Sequence, residues 1–375
     1  MEKKIPVDCI YTDFSKAFDV VNHNLLISKL KLYGINGMLL KWFANYLTNR
    51  AQYVKYRNFI SDKITVMSGV PQGSHLGPLL FIIFINDITD VLLNVEYLMF
   101  ADDLKIFKAI NSSVDISDLQ NSLNLLITWC TNNKLILNFK KCKTITFTRS
   151  KSITRNIYKI NDIDLENVTQ IRDLGVIFDS EMSFTPHIDY IANKSMQLLG
   201  FIKRNCQEFK SVKTLKLLYV MLVKSILIYA STIWSPIYDI HIKRLETIQH
   251  KFFRLASLKM GLPDPFIQHD YAVISRKLNI PSLESARKLN GVKFTYKLIK
   301  GEIDCPLLLG LLNFRIPTVT RNNDIFLCKT YISSYTENNP INRICKFIND
   351  KNIDILTTSE TNFQKLCKRD VLEFR

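Results

Sequence analysis

The chain of 375 residues carries 50 Lys and Arg against 34 Asp and Glu, a net charge of +16, and 47% of it is hydrophobic. That apolar share, with only 11 Gly and 11 Pro, excludes a low-complexity or disordered chain and is enough for two or three cores. The 8 cysteines never stand as C-x-x-C, which argues against zinc; with no secretory signal they read as reduced intracellular thiols.

In chain order, residues 7 to 12 read as a short buried strand, and Asp13 falls where that strand ends and a helix begins. Apolar residues recurring three and four apart predict that the helix continues through Leu25, Leu26 and Leu30. A second helix near 37–48 and a strand pair near 51–67 lead to Ser68-Gly69-Val70-Pro71-Gln72-Gly73-Ser74-His75-Leu76-Gly77-Pro78. That glycine- and proline-rich turn permits close approach of backbone to a ligand, and the amide of Gln72 could touch a base or sugar. Gly73-Ser74-His75 is not a G-x-S-x-G nucleophile elbow, and there is no P-loop. A strongly apolar helix near 77–90 follows.

Two apolar, aromatic-rich runs then meet at Phe100-Ala101-Asp102-Asp103, the pattern of a β-hairpin with two carboxylates at its tip. Adjacent carboxylates repel, so such a tip calls for a neutralising cation, although an Asp-Asp pair alone is also an ordinary solvated turn. A long helix near 115–133 and a strand near 143–149 close this part. Residues 150–185 alternate short apolar runs with polar turns. Residues 186–258 are strongly helical, with one apolar face at Leu215, Leu218, Tyr219, Leu222, Ile226, Tyr229 and Ile233. Lys216 and Lys224 interrupt that face, which argues against a membrane span. Gly261-Leu262-Pro263-Asp264-Pro265 is the best domain boundary, and 266–375 reads as mostly helical without a chemical clue.

The positive balance suits a phosphate-tracking surface. Basic residues interleave with aromatics at Lys55-Tyr56-Arg57, Phe201-Ile202-Lys203-Arg204 and Lys251-Phe252-Phe253-Arg254. Such runs suit backbone contact with base stacking, or else aromatics facing a core while the charges face water.

Together, Asp13-Phe14-Ser15-Lys16-Ala17-Phe18-Asp19, the Gly69-to-Phe81 block and Phe100-Ala101-Asp102-Asp103 resemble the palm of a reverse transcriptase of the non-LTR, LINE-like, jockey type. The resemblance extends through Leu137-Asn138-Phe139-Lys140-Lys141-Cys142, Asp173-Leu174-Gly175-Val176 and Tyr229-Ala230-Ser231-Thr232-Ile233-Trp234, about two thirds of the chain. An intron-type maturase shares such a palm but fits the last block less well. The resemblance implies an α+β fold: a polymerase palm, its antiparallel sheet backed by helices, at 1–149; a β-rich primer-grip region at 150–185; a helical thumb at 186–260; and a mostly helical C-terminal region at 261–375.

For function it implies RNA-directed DNA polymerisation with an RNA template, a DNA primer and dNTPs as partners. Two magnesium ions, replaceable by manganese, would be held by Asp13, Asp102 and Asp103. Phe14, Phe18, Gln72 and Gly73 would line the nucleotide pocket, Phe18 either excluding a 2′-hydroxyl or simply packing. Lys141, or its neighbours Lys140 and Lys143, would act as an acid toward pyrophosphate, the alternative being a solvated basic turn. Asp19, Asn22 and His23 follow the family pattern, with capping or packing as the expected role. Met1 stands shortly before Asp13, leaving no room for the fingers or endonuclease that family members carry upstream. The expectation is therefore a truncated copy, either an active domain or a dead remnant that only binds nucleic acid, and nuclear by implication of its family.

Overall fold

The computed structural model describes residues 5–150, 155–209, 211–264, 270–315, 324–328 and 337–369, with side chains to 365. The chain forms two compact units, Met1–Arg172 with Phe178–Ser183, and Asp173–Ile177 with Phe184–Arg375.

In the first unit β1 (Val7–Thr12) leads to α1 (His23–Leu32) and α2 (Gly37–Leu47). The short strands β2 (Arg50–Gln52), β3 (Lys55–Tyr56), β4 (Phe59–Ile60) and β5 (Ile64–Val66) follow, then α3 (Leu76–Ile85). The hairpin β6 (Glu96–Phe100) and β7 (Asp103–Ala109), α4 (Ser113–Asn132) and β8 (Lys143–Phe147) complete its frame. Strands β9 (Lys159–Ile160) and β10 (Ile163–Asp164) pair with each other, and β11 (Glu166–Asn167) joins the main sheet. The sheet order is β11-β8-β1-β7-β6. Its pairs are antiparallel except β11 with β8, so the sheet is mixed where an antiparallel one was expected.

Side chains alternate across the strands. Ile10, Leu104 and Ile106 face a core shared with Leu26 and Leu30 of α1, Leu80, Phe81 and Phe84 of α3, and Leu119, Leu123 and Leu126 of α4. Cys9, Ile145 and Phe147 face the other way and pack with Tyr11, Phe107, Ile171 and Phe178.

The helix expected from Asp13 onward starts only at His23. Asn22 caps it, its side chain accepting from Leu25 N at 3.1 Å, which is the capping role expected of that residue. Phe14 makes a β-bridge and residues 15–19 form turns instead, with Lys16 at φ 52°. Phe14 and Ala17 reach the core from those turns, so helical spacing of apolar residues arose there without a helix.

Asp8 is buried on β1 and accepts from Thr146 Oγ1 (2.7 Å), Asn156 Nδ2 (2.8 Å) and Tyr158 OH (2.7 Å). Burial, then the bond to Asp8, raises the Tyr158 hydroxyl far above its ordinary value. Asp8→Ala would strand two buried donors and one half-buried one; we expect a loss of about 3 kcal/mol, read as a lower urea midpoint at unchanged slope. An unchanged midpoint would mean that the network adds nothing.

In the second unit the long helices α5 (Thr185–Asn205) and α9 (Asp239–Lys259) pack together, joined by α6 (Val212–Leu218), a π-helical turn (Tyr219–Lys224), α7 (Ser225–Ile228) and α8 (Ser231–Trp234). The stripe that is buried is Leu215, Tyr219, Val223 and Leu227, four apart, whereas Leu222, Tyr229 and Ile233 of the expected face are exposed. The π turn shifts the period, and the helix ends at Tyr229 before Ala230 turns left-handed at φ 49°. Farther on, Leu289, Val292, Tyr296, Ile344, Ile348 and Phe363 build a core of their own, with Tyr296 stacked on Phe363 at 3.9 Å. No described helix is long and apolar enough to cross a membrane.

Burial lowers Lys224 to about 8, against the partial opposition of Glu246. Its folded pKa lies below the unfolded value near 10.4, so between the two the unfolded chain holds more protons and stability rises with pH. We expect a gain of about 1.5 kcal/mol from pH 8 to 9.5 in urea unfolding, flattened by Lys224→Met; equal gains in both proteins would assign the rise elsewhere.

Candidate active site

β1 delivers Asp13 to the end of the sheet, where the backbone holds it on both sides. Asn138 N donates to Asp13 O at 2.7 Å, Ser15 N donates to Ile136 O at 2.7 Å, and Phe14 bridges Leu137. The segment before β8, singled out for Lys141, thus runs beside Asp13. Lys141 Nζ lies 3.4 Å from Asp13 Oδ2 without a hydrogen bond, and Oδ2 is enclosed with no hydrogen-bond partner. The buried Cys142 thiol sits next to Asp13; burial raises it, the carboxylate adds to that, and a bond to the Asp13 backbone opposes it.

The hairpin turns in two residues, Ala101 and Asp102, between the paired Phe100 and Asp103, with Ala101 at φ 53°. β1 pairs with β7 from Val7↔Ala109 to Thr12↔Leu104. One more step of this register sets Asp13 opposite Asp103, on the face that carries Tyr11 and Lys105, and Asp102 lies in the adjoining turn. Asp102 is half-buried and Asp103 exposed.

All three predicted aspartates therefore stand at one end of the sheet. Among the described residues no group of three or more His, Cys, Asp or Glu side chains stands placed to hold a metal ion on protein ligands alone. An enclosed carboxylate oxygen without a hydrogen bond, beside two further carboxylates, fits a hard cation that takes a few protein oxygens and completes its shell from phosphate and water. It does not fit a closed structural site.

A second set of bonds binds the Asp13–Asp19 turns to the Ser68–Gly73 loop. Val70 N donates to Phe18 O at 2.9 Å, Gly69 N to Val21 O at 2.8 Å and Ser68 Oγ to Asp19 O at 2.8 Å. Gln72 Nε2 donates to Asp19 Oδ1 at 2.8 Å. His23 Nε2 and Arg50 Nη2 both reach Gly69 O, at 2.9 and 3.2 Å. Phe18 stacks on Phe81 at 4.1 Å and is half-buried, while Phe14 lies in the core. Gly73 stands at φ 81° with open space about it. Beside this loop an open cavity of about 710 Å³ is bounded by Lys16, Asp19, Arg50, Gln52 and Gln72 among others.

Asp19 and Arg50 were missed as members of this arrangement. The first belonged to a recognised block, yet its partner stands 53 positions away, and nothing local marks the second. In the second unit Tyr229 OH donates to Leu174 O at 3.0 Å, linking two further blocks of the resemblance.

The family model "Reverse transcriptase (RNA-dependent DNA polymerase)" matches residues 7–202, more than half of the chain. The chain belongs to the reverse transcriptase family, of the type found in non-LTR retrotransposons. It is 26% identical over 266 residues to the RNA-directed DNA polymerase from transposon BS of Drosophila melanogaster, covering 66% of this chain and 28% of that protein. It is 27% identical over 271 residues to the RNA-directed DNA polymerase from mobile element jockey of Drosophila funebris, covering 68% and 29%. The chain thus spans less than a third of the length of these relatives. Among solved structures, apo telomerase from Candida tropicalis aligns over 98% of this chain and 54% of its own at a TM-score of 0.41 and 13% identity, too loose to carry weight.

Proposed function

We propose that the chain carries the nucleotidyl-transfer centre of a retrotransposon RNA-directed DNA polymerase, joining a dNTP to the 3′-hydroxyl of a primer paired to an RNA template. The observation that carries this is the strand register that sets Asp13 opposite Asp103 with Asp102 in the adjoining turn.

Asp13, Asp102 and Asp103 would hold two magnesium ions, with manganese a possible substitute. Such ions, when bound, supply activation of the hydroxyl and charge neutralisation at the leaving oxygens. Lys141 balances the Asp13 carboxylate at 3.4 Å and, being mostly exposed, is free to swing toward a pyrophosphate oxygen and give it a proton. Asp19 holds the Gln72 amide in one orientation, which positions it against the nucleotide beside Gly73. Phe14 supports the site from the core. The Phe18 ring, backed by Phe81, forms the floor beneath the sugar. Such work on chromosomal DNA would place the protein in the nucleus.

The test is primer extension on a primed RNA template with magnesium and dNTPs, beside Asp102→Asn/Asp103→Asn. Extension by the wild type alone, abolished by chelation, is the expected result. No extension by either, with the template bound equally by both, would leave a nucleic-acid-binding remnant.

If Phe18 excludes the 2′-hydroxyl, Phe18→Val should raise ribonucleotide use relative to deoxynucleotide by about tenfold or more, measured as a ratio of kcat/KM values. An unchanged ratio with a lower melting temperature would return Phe18 to plain packing.

A further inference from the structure

The three basic–aromatic runs part ways in the structure. Phe252 and Phe253 are buried in the helical unit, so their run is a core stripe with charges facing outward. Phe201 is one exposed ring on α5. Lys55-Tyr56-Arg57 lies on neither a helix nor a core. It forms the tip of an arm made of two nested ribbons, β2 with β5 and β3 with β4.

Tyr56 and Phe59 are directly opposite across β3 and β4, so both rings project from one face. They are 67% and 78% exposed, and the Arg57 guanidinium lies 5.5 Å over the Tyr56 ring. Tyr53, Ile60, Ile64 and Met67 are exposed on the same arm. Between Arg50 and Met67 four basic residues (Arg50, Lys55, Arg57, Lys63) stand against one acidic residue, Asp62. The pairing of the two rings covers little of their surface, and that much aromatic area left in water beside cations points to an occupant. A purely apolar protein partner would have to desolvate those cations, whereas a phosphate backbone matches them.

We propose that this arm docks a single-stranded stretch of RNA. Unpaired bases stack on Tyr56 and Phe59, and phosphates lie along Lys55, Arg57 and Lys63. A duplex would keep its base faces stacked inside and offer the rings nothing. At the root of the arm Arg50 and Gln52 border the open cavity that Gln72 also lines, so a strand held on the tip is led toward that loop. Identifying this RNA as the template rests on the polymerase reading; the docking itself does not.

Fluorescence anisotropy of the whole chain with a short unstructured RNA and with an RNA duplex, in chelator and without dNTPs, tests the arm apart from catalysis. Tyr56→Ala/Phe59→Ala should weaken single-strand binding by about ten- to a hundredfold and leave duplex binding nearly unchanged. Phe59→Trp should retain it. Lys55→Gln/Arg57→Gln should lower the slope of log affinity against log salt by about 1.4, or 0.7 per phosphate. Photocrosslinks from thiouridine-substituted RNA to the wild type should map to residues 53–63, a readout that needs no variant to fold. Equal single-strand affinity for all variants, or crosslinks confined elsewhere, overturns the proposal. So does a self-association abolished by Tyr56→Ala/Phe59→Ala while RNA binding persists, which would make the arm a protein interface. An absence of extension alongside arm-dependent RNA binding would count against the polymerase reading alone.

Discussion

Asp13→Asn is expected to slow magnesium-dependent primer extension by about a thousandfold or more while template affinity stays within a few-fold. The substitution keeps the shape of the side chain and removes one negative charge and one oxygen donor from the end of β1. Charge stabilisation by bound cations is worth several kcal/mol, and each 1.36 kcal/mol is a factor of ten, so a loss of about 4 kcal/mol gives that size. The fold has little to lose: Asp13 Oδ2 makes no hydrogen bond, and its ion-pair partner Lys141 is mostly exposed, so the pair is worth about 1 kcal/mol at most. Backbone bonds through Asn138 and Ile136 hold the segment whatever the side chain. A single-turnover rate, a melting curve and an RNA-binding isotherm separate these effects. A rate within tenfold of the wild type would remove Asp13 from the chemistry and leave its enclosed oxygen without a purpose.

The carboxylates were legible because they sit in short blocks whose surroundings are local. A strand of alternating residues, a two-residue turn and a second strand bring Asp102 and Asp103 to a tip without any distant contact, and β1, α2, α4 and β8 fell within a few residues of their expected bounds for the same reason. The arrangement around them was less legible where it depends on pairs far apart in sequence. The sequence offers the Gln72 amide to a base or sugar without showing that Asp19 accepts from it. Lys29 falls on the apolar face of α1, and nothing local in sequence marks its partners. Its ammonium donates to Phe84 O at 2.6 Å and to Asp87 at 2.7 Å, over the rings of Phe84 and Trp129, and burial lowers its pKa.

The misplaced start of α1 has a different cause. Phe14, Ala17 and Val21 are spaced as a helix would space them, yet they reach the core of the first unit from a series of turns, which backbone bonds from Gly69 and Val70 hold in place. Asn22, a good cap standing just before the periodic run, was the local signal for the true start. In the second unit a π turn inside an otherwise regular pattern moved the buried stripe by one residue, which periodicity cannot foresee.

Gly69→Ala should show how closely that loop is fitted. A Cβ at this position would lie 2.7 Å from Asp19 O and 2.9 Å from Asp19 C and Cα, all backbone, at a φ of 86° that alanine rarely adopts. Left-handed backbone costs about 1–2 kcal/mol, and the clash can be relieved only by moving the Asp19 turn or the loop. Either movement strains the bonds from His23 and Arg50 to Gly69 O and separates Gln72 from Asp19. A total near 3 kcal/mol is expected, roughly 6–12 °C of melting temperature for a unit of this size, together with a raised KM for dNTP. Gly73→Ala is the matched comparison: its φ of 81° carries the same strain, but its Cβ would meet nothing within 4 Å, so it should lose only about 1 kcal/mol. The difference between the two variants isolates the close approach from the backbone strain. If they melt together, the contact with Asp19 does not hold the loop, and Gln72 must owe its position to something other than the turn that follows Asp13.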